Sequence, residues 1–391
     1  MKVHFFCNRF RPVLVIFAVL ISLSPLDANC QAGVRTEIKI PNIPGYLTLK
    51  CDFHMHTVFS DGKVWPTIRA EEAWREGLDA FAITDHIEHQ PHKADISTNH
   101  NRPYEIARKN AAELRLIIIK GAEITRKMPP GHLNAIFLNN IDPLDTKDWK
   151  DAIKAAVDQN AFIFWNHPGW AGQQPDGKSL WYPEHTELYK KGWMHGIEIV
   201  NENAYYPLAH RWALEKKLTM MGGSDVHNPT NLDYNLHQGE HRSVTLVFAE
   251  AKTEEAIKEA LLARRTAVYW KNTLIGEEKY LKPIFNESIE TITPEVTIKG
   301  KSKTNIQIRN KSQIDFELAA NGPADAVSAP QNITLWADKT VSFRIRGKAE
   351  TLSGRKKIRV PYMVKNLLIA PDKGLQQELD FTVNFVPVEK R

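Results

Sequence analysis

From Leu47 to about Asn272, short apolar runs alternate with amphipathic stretches. Leu47–His56, Ala80–His86, Leu116–Thr125, His132–Leu138, Ala161–His167, Gly196–Asn201, Thr219–Ser224 and Ser243–Ala249 have the length and composition of strands. Thr67–Glu76, Tyr104–Leu114, Asp148–Gln159, Leu208–Lys217 and Thr253–Arg264 repeat their apolar residues every three or four positions, as helices do. This alternation predicts a parallel α/β domain. Seven or eight such units in about 225 residues suit a closed barrel better than an open sheet. A doubly wound sheet is the alternative, but no Gly-rich phosphate fingerprint follows the first run.

Beyond Thr273 the helical periodicity largely disappears. Val296–Ile298, Thr304–Arg309, Asp315–Ala319, Ile333–Trp336, Thr340–Arg346, Ile358–Val364 and Leu379–Val386 read as short strands separated by turn residues, the pattern of an all-β sandwich. The predicted organisation is a barrel over residues 33–272, a linker over 273–286 and a smaller β-sandwich over 287–391. No histidine follows His241, and the β half holds no catalytic cluster.

The segment before the barrel reads as a secretory signal peptide over residues 1–32. Lys2, Arg9 and Arg11 form a positive start, Val13 to Leu26 is mostly apolar, and Ala28 and Ala32 are candidate cleavage-site residues. The alternatives are an uncleaved anchor and a lipoprotein attached through Cys30. The expected location is secreted or periplasmic, with no transmembrane segment in the mature chain. Three cysteines in 391 residues exclude a disulfide scaffold, and Cys51 reads as a buried structural thiol. A net charge of +5, from 51 basic and 46 acidic residues, is no nucleic-acid footprint.

The 15 histidines change the picture, because many stand where apolar runs stop. His54 and His56 close the first run, and alternate strand residues face one way. Asp61 follows within loop reach. Asp85-His86, Glu123, His167 and Asp225-Val226-His227 close later runs, and His132 opens another. The C-terminal strand ends of a parallel barrel open on one face, so these residues converge. As bare charges they would be costly there. Imidazole and carboxylate together suit divalent zinc, iron or manganese. Each element alone has a plainer reading, such as a helix cap, a turn or a satisfied loop histidine. Their joint placement at successive strand ends favours metal.

In order, the motifs DFHMHTVFSDG, AFAITDH, GAEIT, HLNAIFL, NHPGW and GGSDVH resemble the PHP family, named for polymerase and histidinol phosphatase. The resemblance covers about residues 48–272. It implies a distorted seven-stranded, TIM-like β/α barrel holding two or three divalent ions. It assigns His54, His56, Glu123 and Asp225 to one ion, and Glu123 with His132 and His167 to a second. Asp61, His86 and His227 fall to a third, with Asp61 where some members have histidine. It makes Asp85 the partner that orients a ligand histidine.

The expected reaction is hydrolysis of a phosphate ester by a metal-bridged hydroxide, with a phosphodiester preferred and Glu123, Asp225, Arg126 and Asp85 as the catalytic set. Alternatives are a phosphomonoesterase of the histidinol-phosphatase type, an amide or lactone hydrolase, and a metal-binding protein without turnover. Arg126 could grip a phosphate oxygen, with Arg242 the weaker candidate. The candidates for a general acid are His89, His92, His237 and His241. Trp165, Trp170, Trp181, Tyr182, Tyr205 and Tyr206 could build an apolar pocket or belong to the core. The expected partner is a small-molecule phosphate ester. Nucleic acid ranks below it, because Lys and Arg are dispersed and nearly balanced by acids. The chain carries no signal for an oligomeric state.

Overall fold

The computed structural model describes residues 33–388. The expected signal peptide, residues 1–32 with Cys30, lies outside the described residues. The first half contains β1 (Leu47–Asp52), α1 (Pro66–Arg75), β2 (Ala80–Ile83), α2 (Arg102–Glu113), β3 (Ile117–Ile124), β4 (Leu133–Ile136), α3 (Trp149–Val157), β5 (Phe162–Trp165) and α4 (Pro183–Lys190). It continues with β6 (Gly196–Asn201), β7 (Ala204–Tyr205), α5 (Pro207–Lys216), β8 (Thr219–Gly223), α6 (Thr230–Asp233), β9 (Val244–Ala249), α7 (Glu254–Leu262), β10 (Thr266–Trp270), β11 (Thr273–Gly276) and α8 (Glu278–Ser288).

Hydrogen-bonded neighbours run in the order β9–β1–β2–β3–β4–β5–β6–β8. The ladders β1–β2, β2–β3, β5–β6 and β6–β8 are parallel. β4 is antiparallel to β3 and β5, and β9 is antiparallel to β1. The expected parallel α/β barrel is thus present as a mixed one, in which β4 and β9 run against their neighbours. For β4 the cause is local: only residues 125–132 separate it from β3, and a parallel crossover needs about a dozen or more.

The reversal decides where His132 goes. It precedes an antiparallel strand, so it reaches the end where β3 and β5 finish.

Side chains complete the wall where β8 meets β9 and β10. Thr245 Oγ1 accepts from Gly222 N and donates to Gly222 O, both at 2.9 Å. The hydroxyls of Ser243 and Thr266 donate to the carbonyls of Gly223 and Met220, at 2.8 and 2.9 Å. Buried main-chain groups without a ladder partner are thus satisfied by hydroxyls.

The second half contains β12 (Ile289–Thr291), β13 (Glu295–Lys299), β14 (Lys303–Asn310), β15 (Phe316–Ala320), β16 (Val327–Ser328), β17 (Asn332–Leu335), β18 (Thr340–Gly347), β19 (Gly354–Ala370) and β20 (Lys373–Val386). One sheet is β12–β14–β18–β16. The other joins β13, β20, β19, β15 and β17. The long β19–β20 hairpin extends the two runs expected at Ile358–Val364 and Leu379–Val386. The added start of β19, Gly354–Lys357, is charged and exposed, so apolar alternation does not reveal it, yet its backbone stays paired with β20.

The expected linker is not a free connector. β11 pairs antiparallel to β10 and parallel to β19, so the barrel sheet continues into the sandwich. Helix α8 fills the joint. Its Tyr280 ring lies 4.9 Å from Phe248 of the barrel, and its Phe285 ring lies 5.0 Å from Phe316 of the sandwich. One apolar cluster runs from Phe81 and Leu246 through Leu281 and Ile284 to Leu318 and Ile345. Cys51 is fully buried, and burial pushes its thiol pKa well up, in keeping with the structural role expected of it. Among the described residues no helix is long and apolar enough to cross a membrane.

Because Phe285 is fully buried in this joint, Phe285→Ala is expected to lower the unfolding free energy by about 3–5 kcal/mol. Urea denaturation measures it; a loss below ~1 kcal/mol would contradict a packed joint.

Candidate metal centre

The centre is assembled at strand ends. His54 and His56 follow β1, His86 and Glu123 come from the ends of β2 and β3, and His132 precedes β4. His167 follows β5, and Asp225 and His227 follow β8. Asp61 arrives by a loop that folds back on β1. Gly62 makes this possible, because a Cβ there would stand 2.6 Å from the His56 carbonyl carbon. His167 and Asp225 have φ values of 27° and 53°, in the left-handed region that side-chain-bearing residues seldom adopt. Main-chain bonds hold both: His167 N donates to Glu198 Oε2 at 2.7 Å, and Asp225 N donates to His54 O at 2.9 Å.

Glu123 is the hub. Its Oε1 lies 2.9 Å from His132 Nδ1 and 3.6 Å from His167 Nε2. Its Oε2 lies 2.7 Å from His86 Nδ1, 3.5 Å from His56 Nε2 and 3.7 Å from His54 Nε2. Asp225 Oδ1 stands 2.9 Å from His56 Nε2 and 3.2 Å from His54 Nε2. Asp61 Oδ1 stands 3.2 Å from His227 Nε2 and 3.4 Å from His86 Nε2. All nine residues expected to bind metal thus come together.

Their donor atoms form overlapping groups within 4.8 Å: His56–Asp61–His86–His227, His54–Glu123–His167, His54–His56–Asp225 and His86–Glu123–His132. The groups cut across the implied partition at three points, the first being His54 with His167 around Glu123. His56 also joins the Asp61 set, and His86 also joins Glu123 and His132.

The electrostatics match the crowding. Burial opposes charge on the carboxylates, but the histidines around Glu123 and Asp225 hold both pKa values well below the ordinary range. Burial disfavours the His86 imidazolium, yet Glu123 and Asp61 outweigh it and lift the pKa to about 9. His56 goes the other way, to about 3, through burial and the neighbouring His86 and His227.

Several buried donor atoms here have no hydrogen-bond partner, among them His54 Nε2, His56 Nδ1 and Nε2, Glu123 Oε2 and His167 Nδ1. Buried polar atoms normally have partners, so a cluster of orphaned nitrogens and oxygens fits divalent cations.

Glu198, which the sequence reading did not single out, takes the orienting role assigned to Asp85. Its Oε1 accepts from His54 Nδ1 at 2.8 Å, which turns Nε2 towards the centre. Its Oε2 accepts from His167 N and Asn201 Nδ2. A Cβ at position 223 would overlap Glu198 Oε1, so Gly223 makes room for the carboxylate. The available signal was a lone acid inside the apolar strand Gly196–Asn201, every residue of which is buried.

Asp85 itself accepts from Thr57 N, Thr57 Oγ1 and Ser60 Oγ at 2.6–2.7 Å. It clamps the loop that carries Asp61 and orients no histidine.

Arg126 is also reassigned. Its Nε lies 2.7 Å from Glu88 Oε1, and its other nitrogens donate to the carbonyls of Lys147 and Thr146. Such commitment leaves no fork for a phosphate. Arg242 is buried against Asp52 and Glu76.

Of the four further histidines, His89 reaches the centre, 3.8 Å from Asp61 Oδ2. His237 faces a cavity of about 600 Å³ beside α1, and His241 stacks on Tyr269. Of the six aromatics, Trp170 borders the centre, its ring 5.3 Å from His167 and 5.7 Å from His132. Trp165 is fully buried against His185 and Trp212, and Trp181 packs on the same group.

A mixed α/β barrel with a buried imidazole–carboxylate centre is the fold and site that these observations define. A family model described as an Ig-like domain matches residues 289–380, the second half. A two-domain protein from Bacteroides vulgatus, containing a predicted PHP-like metal-dependent phosphoesterase, is 46% identical. The match covers 89% of this chain and 99% of that one, with a TM-score of 0.84.

A proposed metal-dependent phosphoesterase from Bifidobacterium adolescentis is 17% identical over 55% of this chain and 96% of its own, TM-score 0.38. An amidohydrolase from Chromobacterium violaceum with bound sulfate and no metal is 15% identical over 46% of this chain and 88% of its own, TM-score 0.35. These two overlaps are too slight to carry an argument. No curated protein matches the chain. The chain belongs to the PHP-like family of metal-dependent phosphoesterases, in a two-domain form with a C-terminal Ig-like domain.

Two outcomes check this geometry. Glu198→Ala should weaken metal binding by about 10–100-fold while the fold survives, measured by titration of the metal-free protein. Arg126→Ala should leave the KM for a phosphate ester within about twofold, since its guanidinium is already engaged.

Proposed function

We propose that the protein is an exported phosphodiesterase acting on small organic phosphate esters. The observation that carries this reading is the gathering of six histidines, Asp61, Glu123 and Asp225 into overlapping groups of donor atoms, five of the histidines around the buried carboxylate of Glu123, in a chain of this family. His54, His56, Glu123 and Asp225 would hold one ion, Glu123 with His132 and His167 a second, and Asp61, His86 and His227 a third. Two or three ions of zinc, manganese or iron would supply Lewis acidity towards a phosphoryl oxygen and lower the pKa of a water to about 7. Export is proposed from residues 1–32 of the sequence alone.

The chain's own groups set the rest. Glu198 fixes the His54 ring, and Asp85 holds the loop bearing Asp61. Trp170 is about half exposed beside His132 and His167, where it can cover an organic ester group. Arg69, Arg126 and Arg242 are all committed to internal partners. A diester carries one negative charge where a monoester carries close to two, so with these three guanidiniums engaged elsewhere it asks for less positive charge from the chain. Both features support the diester.

The test supplies purified chain loaded with Mn²⁺ or Zn²⁺ with a chromogenic phosphate monoester and a matched diester. Faster diester turnover is expected, and Glu123→Ala should abolish it together with most bound metal. A preference for the monoester would overturn the diester assignment. No turnover on either by a metal-loaded protein would overturn the phosphoesterase reading.

A further inference from the structure

Arg69 sits on α1, on the helix face it shares with Glu72 and Glu76, and is fully buried. A guanidinium offers five N–H donors. Here each has an acceptor. Nε donates to His56 O at 2.9 Å. Nη2 donates to Val226 O and His227 O, both at 3.0 Å. Nη1 donates to Asn228 O at 2.8 Å and to Glu72 Oε2 at 2.6 Å. Four of the five bonds therefore go to main-chain carbonyls from two segments about 170 positions apart in sequence.

Both segments carry residues of the centre. One delivers His54 and His56, and the other delivers Asp225 and His227. Where the two strand ends leave regular pairing, a single bridge remains between Met55 and Val226. Among the described residues His56 O and Asn228 O have Arg69 as their donor, while Val226 O accepts from His56 N at 3.1 Å as well as from the guanidinium. The Asp61 loop hangs on the same junction, through Lys63 N donating to His227 O at 2.7 Å. Glu72 anchors the other side, its second oxygen accepting from Thr230 N at 3.0 Å.

We infer that Arg69 is a positioning residue that sets the spacing of His56, Asp61 and His227, and thereby the affinity of that group for its ion. The His54–Glu123–His167 and His86–Glu123–His132 groups contain no residue hydrogen-bonded to the guanidinium, so they stand outside its direct control. The inference rests on reading the cluster as a metal centre. It goes beyond that reading by assigning control of one group to a side chain that touches no ligand atom.

The experiment counts ions. Wild type, Arg69→Lys and Arg69→Met are stripped with a chelator, dialysed against graded Mn²⁺ and analysed for metal per chain. Arg69→Lys serves if Arg69→Met does not fold, because an ammonium retains part of the carbonyl bonding. Phe285→Ala is the control for general destabilisation, since it lies in the joint between the domains. The expected result is one ion fewer than wild type at a Mn²⁺ level that saturates wild type. Affinity for the last ion should be at least tenfold weaker, the remaining affinities should stay within about threefold, and Phe285→Ala should keep the wild-type count.

Equal counts and affinities in folded Arg69 variants would overturn the inference alone. So would a uniform loss of all ions in the Arg69 variants that Phe285→Ala reproduces at an equal drop in melting temperature. A wild type that binds no ion would overturn the metal-centre reading itself, and this inference with it.

Discussion

A fully buried carboxylate surrounded by imidazoles is the constraint on which this molecule turns. Glu123 has no exposure to water, and five ring nitrogens lie within 3.7 Å of its two oxygens. A charged group so placed is tolerated only when charges and hydrogen-bond partners compensate it locally. The compensation comes from residues on four strand ends other than its own, those of β1, β2, β4 and β5, so the barrel must bring distant segments into register. Packing of the barrel wall therefore serves the centre directly. A shift of one strand end changes several contacts of Glu123 at once.

The groups that enforce this register are polar side chains set into main-chain gaps. Arg69 holds the carbonyls after β1 and β8, Asp85 holds the loop after β1, and Glu198 holds the backbone after β5. Thr245 completes the wall where β8 has no ladder with β9. Each acts where regular pairing ends and a buried donor or acceptor needs a partner. Regular strands carry the core, and these few residues convert its ragged ends into a fixed frame.

The Ig-like domain is built onto this frame rather than tethered to it. The sheet passes from β10 through β11 into β19, and α8 wedges aromatic side chains against both halves. The barrel's β9–β10–β11 edge is thereby covered, which removes an exposed strand edge that would otherwise invite pairing with another chain. The metal-centre residues all belong to the barrel, so the second domain bears on the centre through the stability of that edge.

Apolar periodicity located nearly all the strands of the barrel, because a buried strand needs a run of apolar residues whatever its neighbours are. The positions of His54, His56, His86, Glu123, His132, His167, Asp225 and His227 at the ends of those runs were likewise legible, since strand ends are where a barrel opens. Strand direction was not. β4 reads like any buried strand, and only the short connection before it decides that it runs backwards.

The roles of Asp85, Arg126 and Glu198 were not legible either. A carboxylate or guanidinium has the same chemistry whether it faces a ligand histidine, a loop or a carbonyl. Which partner it meets depends on segments up to 144 residues away, as for Glu198 and His54. The sequence by itself determined which side chains could form the centre. Only the tertiary structure decided which of them touch, because hydrogen bonds act over about 3 Å and chain spacing alone does not specify such distances.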